Sequence, residues 1–398
     1  MLCIVPSVDD QSIKNKHTTG KFHLRLESDH TLLNQLQNTA IFTSKQSNKV
    51  VPHKRDLSHM DSLTQFTLGA AIGELTMGRK IGNRAMLWGG LIATLPDLDV
   101  FVPYGGAVES FTYHRSATHS LIVLTAITPL IATALINYYP NTKKFSRHWF
   151  MLVFFALVTH PILDCFTVYG TQIFWPISEY PVAWSSIFII DPAYTVPLMI
   201  GLGAAALMTR AGPRGHWANS IALTWSVLYL GWTLIAQNIV TNRAIQSLER
   251  NGTKYSQLLV NPSPFNTVLW RVLVMTDDGY LEGFYSLLDK KPNIKLTHYP
   301  KKHHLLASLK DHWPVQRLKW FTRGYYAASN NGNDILMTDL RMGMEPYYIF
   351  RFKVGEYSRN AATPVINERR RKPRPLKLIP VIYKRIWNEG ISLMHAKN

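Results

Sequence analysis

The sequence predicts an α-helical polytopic membrane bundle followed by a small extramembrane β-rich domain. Four segments contain no Asp, Glu, Lys or Arg: Ser120 to Asn137, Trp149 to Leu163, Thr195 to Thr209 and Trp217 to Asn242. About 20 apolar residues suffice to cross a bilayer, so segments of this length and composition indicate membrane spans. Beyond residue 261 the pattern changes to the apolar–polar alternation that is typical of β-strands.

We predict about six apolar helices, of which the first two are short. They cover residues 63–75, 85–95, 118–138, 148–167, 192–209 and 217–240. The two short helices fall below the usual spanning length and are expected to be tilted, to form half-spans, or to cross under the cover of neighbouring helices. Their glycines favour close packing of helix backbones, as small residues do in membranes: Gly69, Gly73, Gly89 and Gly90.

The change in composition along the chain predicts four parts. Residues 1–59 form a polar leader without the apolar core of a signal peptide, expected to be disordered or to precede a biological start at Met60. Residues 60–242 form the transmembrane domain, 261–357 the β-rich domain and 358–398 a basic tail. Within the β-rich domain we expect strands at 268–274, 280–284 and 347–354, with turns at Thr276–Gly279 and Asn330–Asp334.

The short basic loops predict the orientation of the bundle. Lys and Arg occur in GRKIGNR, NTKKFSRH and TRAGPRGH, the alternate connections between predicted helices, and the positive-inside rule assigns such loops to the cytoplasm. The intervening loops, which hold PDLD, HRSATHS and IIDP, then face outward, and so does the β-rich domain. His160 and Asp164 lie toward the same outer end of the fourth helix.

The formal net charge of +18 does not by itself indicate nucleic-acid binding, because basic residues that flank membrane spans are expected from topology and anionic lipids. We therefore expect membrane lipids, and no nucleic acid, among the partners. The oligomeric state is left open. The two cysteines, Cys3 and Cys165, do not predict a disulfide or a thiolate metal site.

Ionisable residues at the ends of apolar segments are the candidates for function, since such groups are costly in a bilayer. His160 and Asp164 are four residues apart and share one face of a helix. Imidazole and carboxylate at this spacing suit Zn²⁺ or another divalent ion. A hydrogen-bonded pair that only packs the bundle is the alternative.

The HRSATHS and PDLD loops supply further candidates. If Ser116 caps the third helix, His119 lies in its first turn and His114 in the preceding loop. Arg115 is expected either to bind an anionic group of the substrate at that helix end or to contact lipid headgroups. Asp97 and Asp99 are expected to complete a metal shell or to act as a general base, unless they are solvated loop residues.

These segments, MDSLTQFTLGAAIGE, PDLD, HRSATHS and HPILDCFTVYGT, resemble the YdjM-like family of bacterial inner-membrane proteins over about residues 60–240. The resemblance implies a bacterial inner-membrane protein with a proposed metal-dependent hydrolase activity. The family pattern matches here at seven residues: Asp97, Asp99, His114, Arg115, His119, His160 and Asp164. Ser116 stands where Gly is common in the family, which is a difference in the loop after Arg115.

Together these features predict a membrane-bound metal-dependent hydrolase that acts at the extracytoplasmic face, on a lipid or lipid-linked phosphoester. His114, His119, His160 and Asp164 are the predicted ligands of a divalent metal, zinc foremost, and Asp97, Asp99 and Arg115 are the predicted catalytic residues. The alternative is a non-enzymatic membrane protein, a transporter or envelope-integrity factor, with a structural His/Asp cluster. A transporter favours ionisable groups at mid-membrane and repeated halves, and we find no internal repeat.

Overall fold

The computed structural model describes residues 61–208, 213–358, 361–371 and 376–393. The predicted leader, the alternative start at Met60 and part of the basic RRRKPR run lie outside the described residues.

The first part of the described chain is helical, because its apolar segments contain few residues that interrupt a helix. Seven helices occur between residues 61 and 250: α1 Asp61–Gly73, α2 Arg84–Ala93, α3 Ala107–Tyr113, α4 Leu121–Tyr138, α5 Ser146–Phe166, α6 Pro192–Met208 and α7 Arg214–Arg250. A π-helical turn, Glu74–Gly78, and a three-residue helical turn, Arg79–Ile81, follow α1. Short 3₁₀ turns connect other helices at Pro96–Phe101, Ala117–His119 and Pro140–Phe145.

Three helical segments of the described chain are long and apolar enough to cross a membrane: Leu121–Tyr138, Pro140–Phe166 and Arg214–Arg250. Pro192–Met208 is a shorter apolar helix. The prediction of about six apolar helices is therefore not supported. The helices α1 and α2 are too short to span a bilayer by themselves, since 13 and 10 residues fall below the about 20 that a span needs.

The close crossing of α1 and α2 confirms the expectation from the glycine pattern. A Cβ atom on Gly69 would collide with the carbonyl oxygen of Gly89, and one on Gly89 would collide with the carbonyl oxygen of Gly69. A Cβ atom on Gly73 would collide with the carbonyl oxygen of Ala85. The absence of side chains at these glycines brings the two backbones into contact. This contact fixes the end of α2 beside α5.

The second part of the described chain is rich in β-strands, as predicted. One antiparallel sheet has the order β1–β2–β3–β4, with strands Gln257–Pro262, Leu269–Met275, Gly279–Ser286 and Leu296–Pro300. A second sheet has the order β10–β9–β6–β5, and a two-stranded pair joins β7 and β8. Their bounds are β5 Tyr326–Asn331, β6 Asp334–Asp339, β7 Gly343–Met344, β8 Tyr347–Tyr348, β9 Arg351–Ser358 and β10 Ala361–Arg369.

Two further helices belong to this part: α8 Trp313–Phe321, which follows the 3₁₀ turn His303–Leu309, and α9 Ile379–Trp387, which follows the turn Leu376–Leu378. The strand β10 and the helix α9 lie inside the segment predicted as a basic tail. The four-part domain division itself stays a prediction.

The long helix α7 joins the two parts. Its last four turns bury Ala236, Val240 and Leu248 in one apolar cluster with Trp270 and Val272 of β2. Burying this surface stabilises the junction by about 25 cal/mol for each Å² of apolar area removed from water. The β-rich part is thus packed directly on the continuation of a membrane helix.

Candidate metal centre

Three potential ligand atoms converge at the ends of α2 and α5 and in the turn before α4. Asp97 Oδ1 lies 3.4 Å from His119 Nε2 and 3.4 Å from His160 Nε2, and the two Nε2 atoms are 3.2 Å apart. Ligands at 2.0–2.1 Å from a tetrahedral Zn²⁺ are about 3.3 to 3.4 Å from one another. Asp97, His119 and His160 therefore have the spacing of a metal-ligand set.

Asp164 adds a second carboxylate to this cluster. Its Oδ2 is buried and lies 3.3 Å from His119 Nε2, 3.4 Å from His160 Nε2 and 3.3 Å from Arg115 Nε. Its Oδ1 accepts a hydrogen bond of 2.9 Å from Gln65 Nε2. A buried carboxylate oxygen at this distance from two imidazole nitrogens has the spacing of a further cation ligand.

The hydrogen bonds around the two imidazoles assign their tautomers. His160 Nδ1 lies 2.6 Å from the carbonyl oxygen of Ala93, which only accepts, so Nδ1 carries the proton. Thr118 Oγ1 donates its proton to Asp99 Oδ2, so it accepts from His119 Nδ1 at 3.0 Å. Both imidazoles then turn Nε2 toward the cluster, the atom through which they would bind a metal, as in metal sites with oriented histidines.

Asp99 organises the surrounding loop. Its Oδ2 accepts a hydrogen bond from the backbone N–H of Arg115, at 3.1 Å, as well as the one from Thr118. Its Oδ1 lies 2.8 Å from His114 Nδ1. Burial opposes ionisation of Asp99, but the His114 hydrogen bond and charge outweigh it and lower the pKa of the carboxyl below its usual value.

The geometry of the PDLD turn explains why the side chains of its two aspartates have different neighbours. Pro96 begins a 3₁₀ turn directly after α2, and three residues complete one turn of this helix type. Residues two apart therefore point in different directions, Asp97 toward the imidazoles and Asp99 toward the HRSATHS loop. Burial opposes ionisation of Asp97 as well, but His160 and His119 lower the pKa of its carboxyl well below the usual value.

Arg115 is buried beside Asp164. Its side chain is 2% exposed, its Nε lies 3.3 Å from Asp164 Oδ2, and its Nη1 donates to Thr167 Oγ1. Its guanidinium also lies over the Tyr169 ring. The residue has a φ of 63°, in the left-handed region, which turns the chain between His114 and the following 3₁₀ turn.

The structure thus brings together Asp97, His119, His160 and Asp164 of the predicted site residues. It places His114 outside this cluster: the His114 ring contacts the edge of the His119 ring, but its Nδ1 lies on Asp99 Oδ1. The predicted cap at Ser116 is wrong. Ser116 donates to the carbonyl oxygen of Tyr113, and Ser120 caps α4 by accepting from the backbone N–H of Val123.

Sequence reasoning missed Gln65 and Thr118, which orient Asp164 and His119. The polar Gln65 inside the apolar α1 is the signal that points to it, since a buried amide needs partners. Thr118 gives no such signal, because its role depends on the 3₁₀ turn that places it between Asp99 and His119.

Fold and site together define a class: a helical membrane protein with a β-rich carboxyl-terminal part and a buried His/Asp cluster with metal-ligand spacing. Residues 60–240 match the family described as YdjM inner membrane protein. The resemblance predicted from the sequence is therefore confirmed: residues 60–240, less than half of the chain, are similar to the YdjM family.

A curated protein of Bacillus subtilis (strain 168), described as the uncharacterized protein YfhP, is also similar to this chain. The two are 25% identical over 310 residues, which cover 73% of this chain and 89% of YfhP. The similarity extends through more of the chain than the family match does. No solved structure matches the chain significantly.

Proposed function

We propose that the protein is a membrane-bound metal-dependent hydrolase that acts on a lipid or lipid-linked phosphoester at the extracytoplasmic membrane face. The observation that carries the proposal is the triangle of Asp97 Oδ1, His119 Nε2 and His160 Nε2, with sides of 3.2 to 3.4 Å. Catalytic zinc sites use three protein ligands and keep one position for water or substrate. Asp164 is close enough to both imidazoles to join these ligands.

A divalent ion bound by these residues, zinc foremost, supplies Lewis-acid activation of water and of a phosphoryl oxygen. The chain itself provides the ligands, their orientation and the balance of charge. Ala93 and Thr118 fix the imidazoles, while Gln65 and Arg115 contact Asp164. Arg115 thus offsets the negative charge of the cluster and holds Asp164, in addition to the predicted role of stabilising an anionic substrate.

The exposed fractions of Asp97 and Asp164 indicate the side from which substrate and water approach the cluster. The side chain of Asp97 is 17% exposed, whereas that of Asp164 is 1% exposed. We therefore expect substrate and water to reach the cluster from the side of Asp97.

The surface beside Asp97 favours a lipid substrate. The exposed apolar residues of the PDLD turn and its continuation are Leu98, Val100, Phe101 and Val102. A water-soluble substrate needs no such surface, whereas acyl chains or the bilayer interface match it. The basic loops on the opposite side of the predicted bundle support an extracytoplasmic position by the positive-inside rule.

The experiment is metal analysis of the purified full chain, combined with hydrolysis of a lipid-extract panel. Wild type is expected to contain a divalent ion and to release phosphate-containing products, whereas His160→Ala loses both. His148→Ala is the matched control, because His148 lies on α5 and outside the cluster. Bound metal without any His160-dependent turnover would support the non-enzymatic alternative, in which the ion stabilises the bundle.

A further inference from the structure

A cavity of about 370 Å³ lies between α7, β1 and the segment that connects α5 to α6, and we refer to it as the groove. Gln237 of α7 holds its walls together. Its Nε2 donates to the carbonyl oxygens of Trp184, Ser185 and Val260, at 2.8, 3.1 and 2.8 Å. One amide therefore joins the connecting segment to β1, and the groove is preformed.

Ser185 has an unusual place in this groove. It is 1% exposed, and its Oγ has no hydrogen-bond partner among the described residues. Its φ of 59° lies in the left-handed region, which serine rarely adopts. A strained backbone and a buried hydroxyl without a partner, both lining one cavity, are features that concentrate at ligand sites.

Arg323 supplies the charge of the groove. It is the one charged side chain among the groove's twelve lining residues, all of which the structure describes. Its Nη1 donates to Tyr180 Oη at 3.3 Å, and its Nε has no hydrogen-bond partner among the described residues. The nearby carboxylate of Glu179 pairs with Arg317 instead, at 3.2 Å. The groove therefore favours an anion.

The groove lies where α7 leaves its lipid-facing stretch. Exposed apolar side chains on α7 run from Trp217 to Ile239, and the groove is lined by Gln237 and Thr241. At its rim, Trp184 and Tyr180 are half exposed. Trp and Tyr at the end of a membrane helix mark the level of the lipid headgroups.

We propose that this groove binds the phosphate group of a phospholipid headgroup, at a site separate from the metal centre. The planar guanidinium of Arg323 matches two phosphate oxygens, and the Ser185 hydroxyl donates to a third. A volume of about 370 Å³ is in the range of small-molecule sites and exceeds what one inorganic ion requires.

The test measures binding of dihexanoyl phosphatidylglycerol to the full chain in neutral detergent by titration calorimetry. Arg323→Ala is expected to weaken binding by at least about tenfold, since hydrogen bonds to charged groups are the strong ones. Ser185→Gly removes the hydroxyl but keeps the left-handed backbone, and is expected to weaken binding by about three- to tenfold. Arg243→Ala is the matched control, because Arg243 is exposed on α7 in the same region.

Three further probes identify the source of the phosphate: inorganic phosphate, glycerol 1-phosphate and dihexanoylglycerol. Weaker binding of all three than of the phospholipid supports a headgroup site. Equal binding of glycerol 1-phosphate keeps the phosphate site but overturns the lipid source. The proposal is overturned if dihexanoylglycerol binds as tightly as the phospholipid, if Arg243→Ala weakens binding as much as Arg323→Ala, or if wild type binds no phosphate-bearing probe. An unchanged thermal unfolding temperature of Arg323→Ala and Ser185→Gly shows that the variants fold.

Discussion

Of the buried clusters of charged side chains among the described residues, two contrast with each other: one lies in the β-rich part and one at the ends of the membrane helices. In the first, Arg271 Nε donates to Glu282 Oε1 at 2.5 Å, and Arg271 Nη1 donates to the carbonyl oxygen of Leu340. Glu282 Oε2 accepts from the backbone N–H of Glu345 and from Tyr348 Oη. Donors meet acceptors, and the two formal charges cancel.

The second cluster is built from acceptors. The Nε2 atoms of His119 and His160 lie 3.2 Å apart and face carboxylate oxygens of Asp97 and Asp164. Arg115 Nε, 3.3 Å from Asp164 Oδ2, offsets part of the negative charge, and a cation bound between Asp97, His119 and His160 would offset the rest. The comparison teaches that burial of charge alone does not mark a metal site; the convergence of imidazole and carboxylate ligand atoms at metal-ligand spacing does.

The largest expected effect on stability is that of a substitution in the Arg271–Glu282 cluster, whose donors and acceptors are paired. Glu282→Ala leaves Arg271 buried without its ion partner, and breaking such a pair costs about 3–5 kcal/mol. We expect a corresponding decrease in the free energy of unfolding, measured by denaturant titration in detergent, with no change in metal binding. Lys291→Ala is the control, since the exposed Lys291–Glu389 pair is expected to contribute nothing measurable. Unchanged unfolding of Glu282→Ala would contradict the contrast between the clusters.

Asp97→Asn tests the acceptor-rich cluster. The amide is a weak metal ligand, so we expect divalent-metal affinity to fall by more than about 100-fold, beyond the 10–100-fold typical of changes in the residues that orient ligands. Competition with a fluorescent chelator measures the affinity. The control is Asp278→Asn, at an exposed aspartate of the β2–β3 turn. If Asp97→Asn binds metal as wild type does, Asp97 is not a ligand.

Gly89→Ala tests whether helix packing builds the site. The added Cβ collides with the carbonyl oxygen of Gly69, so we expect a loss of about 1–3 kcal/mol in the free energy of unfolding. It also shifts α2, whose Ala93 carbonyl orients His160, so metal affinity decreases as well. Gly203→Ala is the matched helical control, because a Cβ there meets nothing within 4 Å. Equal stability of the two variants would contradict the close α1–α2 contact.

The smallest expected effect is that of Thr118→Val. It removes the hydroxyl that links Asp99 to His119 and so releases the tautomer of His119. Loss of one such partner is expected to weaken metal binding by about tenfold, measured by the same competition assay. Thr224→Val, on the exposed face of α7, serves as the control. Unaltered affinity in Thr118→Val would mean that another contact orients His119.

The sequence was sufficient for much of the helical and strand pattern, because apolar runs and alternation report local structure directly. The β2–β3 hairpin, with its turn between Met275 and Gly279, and the β5–β6 hairpin lie where they were predicted. The number of apolar helices was overestimated. The sequences of α1 and α2 have the pattern of apolar helices, but 13 and 10 residues are too few to span a bilayer. Both helices pack on each other through the glycines and also against α5, and the contacts with α5 are not visible in a local pattern.

The part of the site that depends on spacing along one helix was predicted correctly, because such spacing reports local structure. The spacing of His160 and Asp164 on one helix predicts a shared face, and both do point into one cluster. The sequence did not show that Asp97, and not His114, joins the cluster. This depends on the 3₁₀ turn at Pro96 and on the left-handed backbone of Arg115, which are features of the folded structure. Their roles in metal binding and catalysis stay predictions.

The most direct test of the central claim is the metal content of the purified protein, measured by elemental analysis after removal of loosely bound ions. The account predicts about one or two divalent ions per chain for wild type and for the control His148→Ala, and none for His119→Ala and His160→Ala. Metal-free wild type that also fails to gain thermal stability on addition of Zn²⁺ or Mn²⁺ would contradict it, because an ion bound to the native state must stabilise that state.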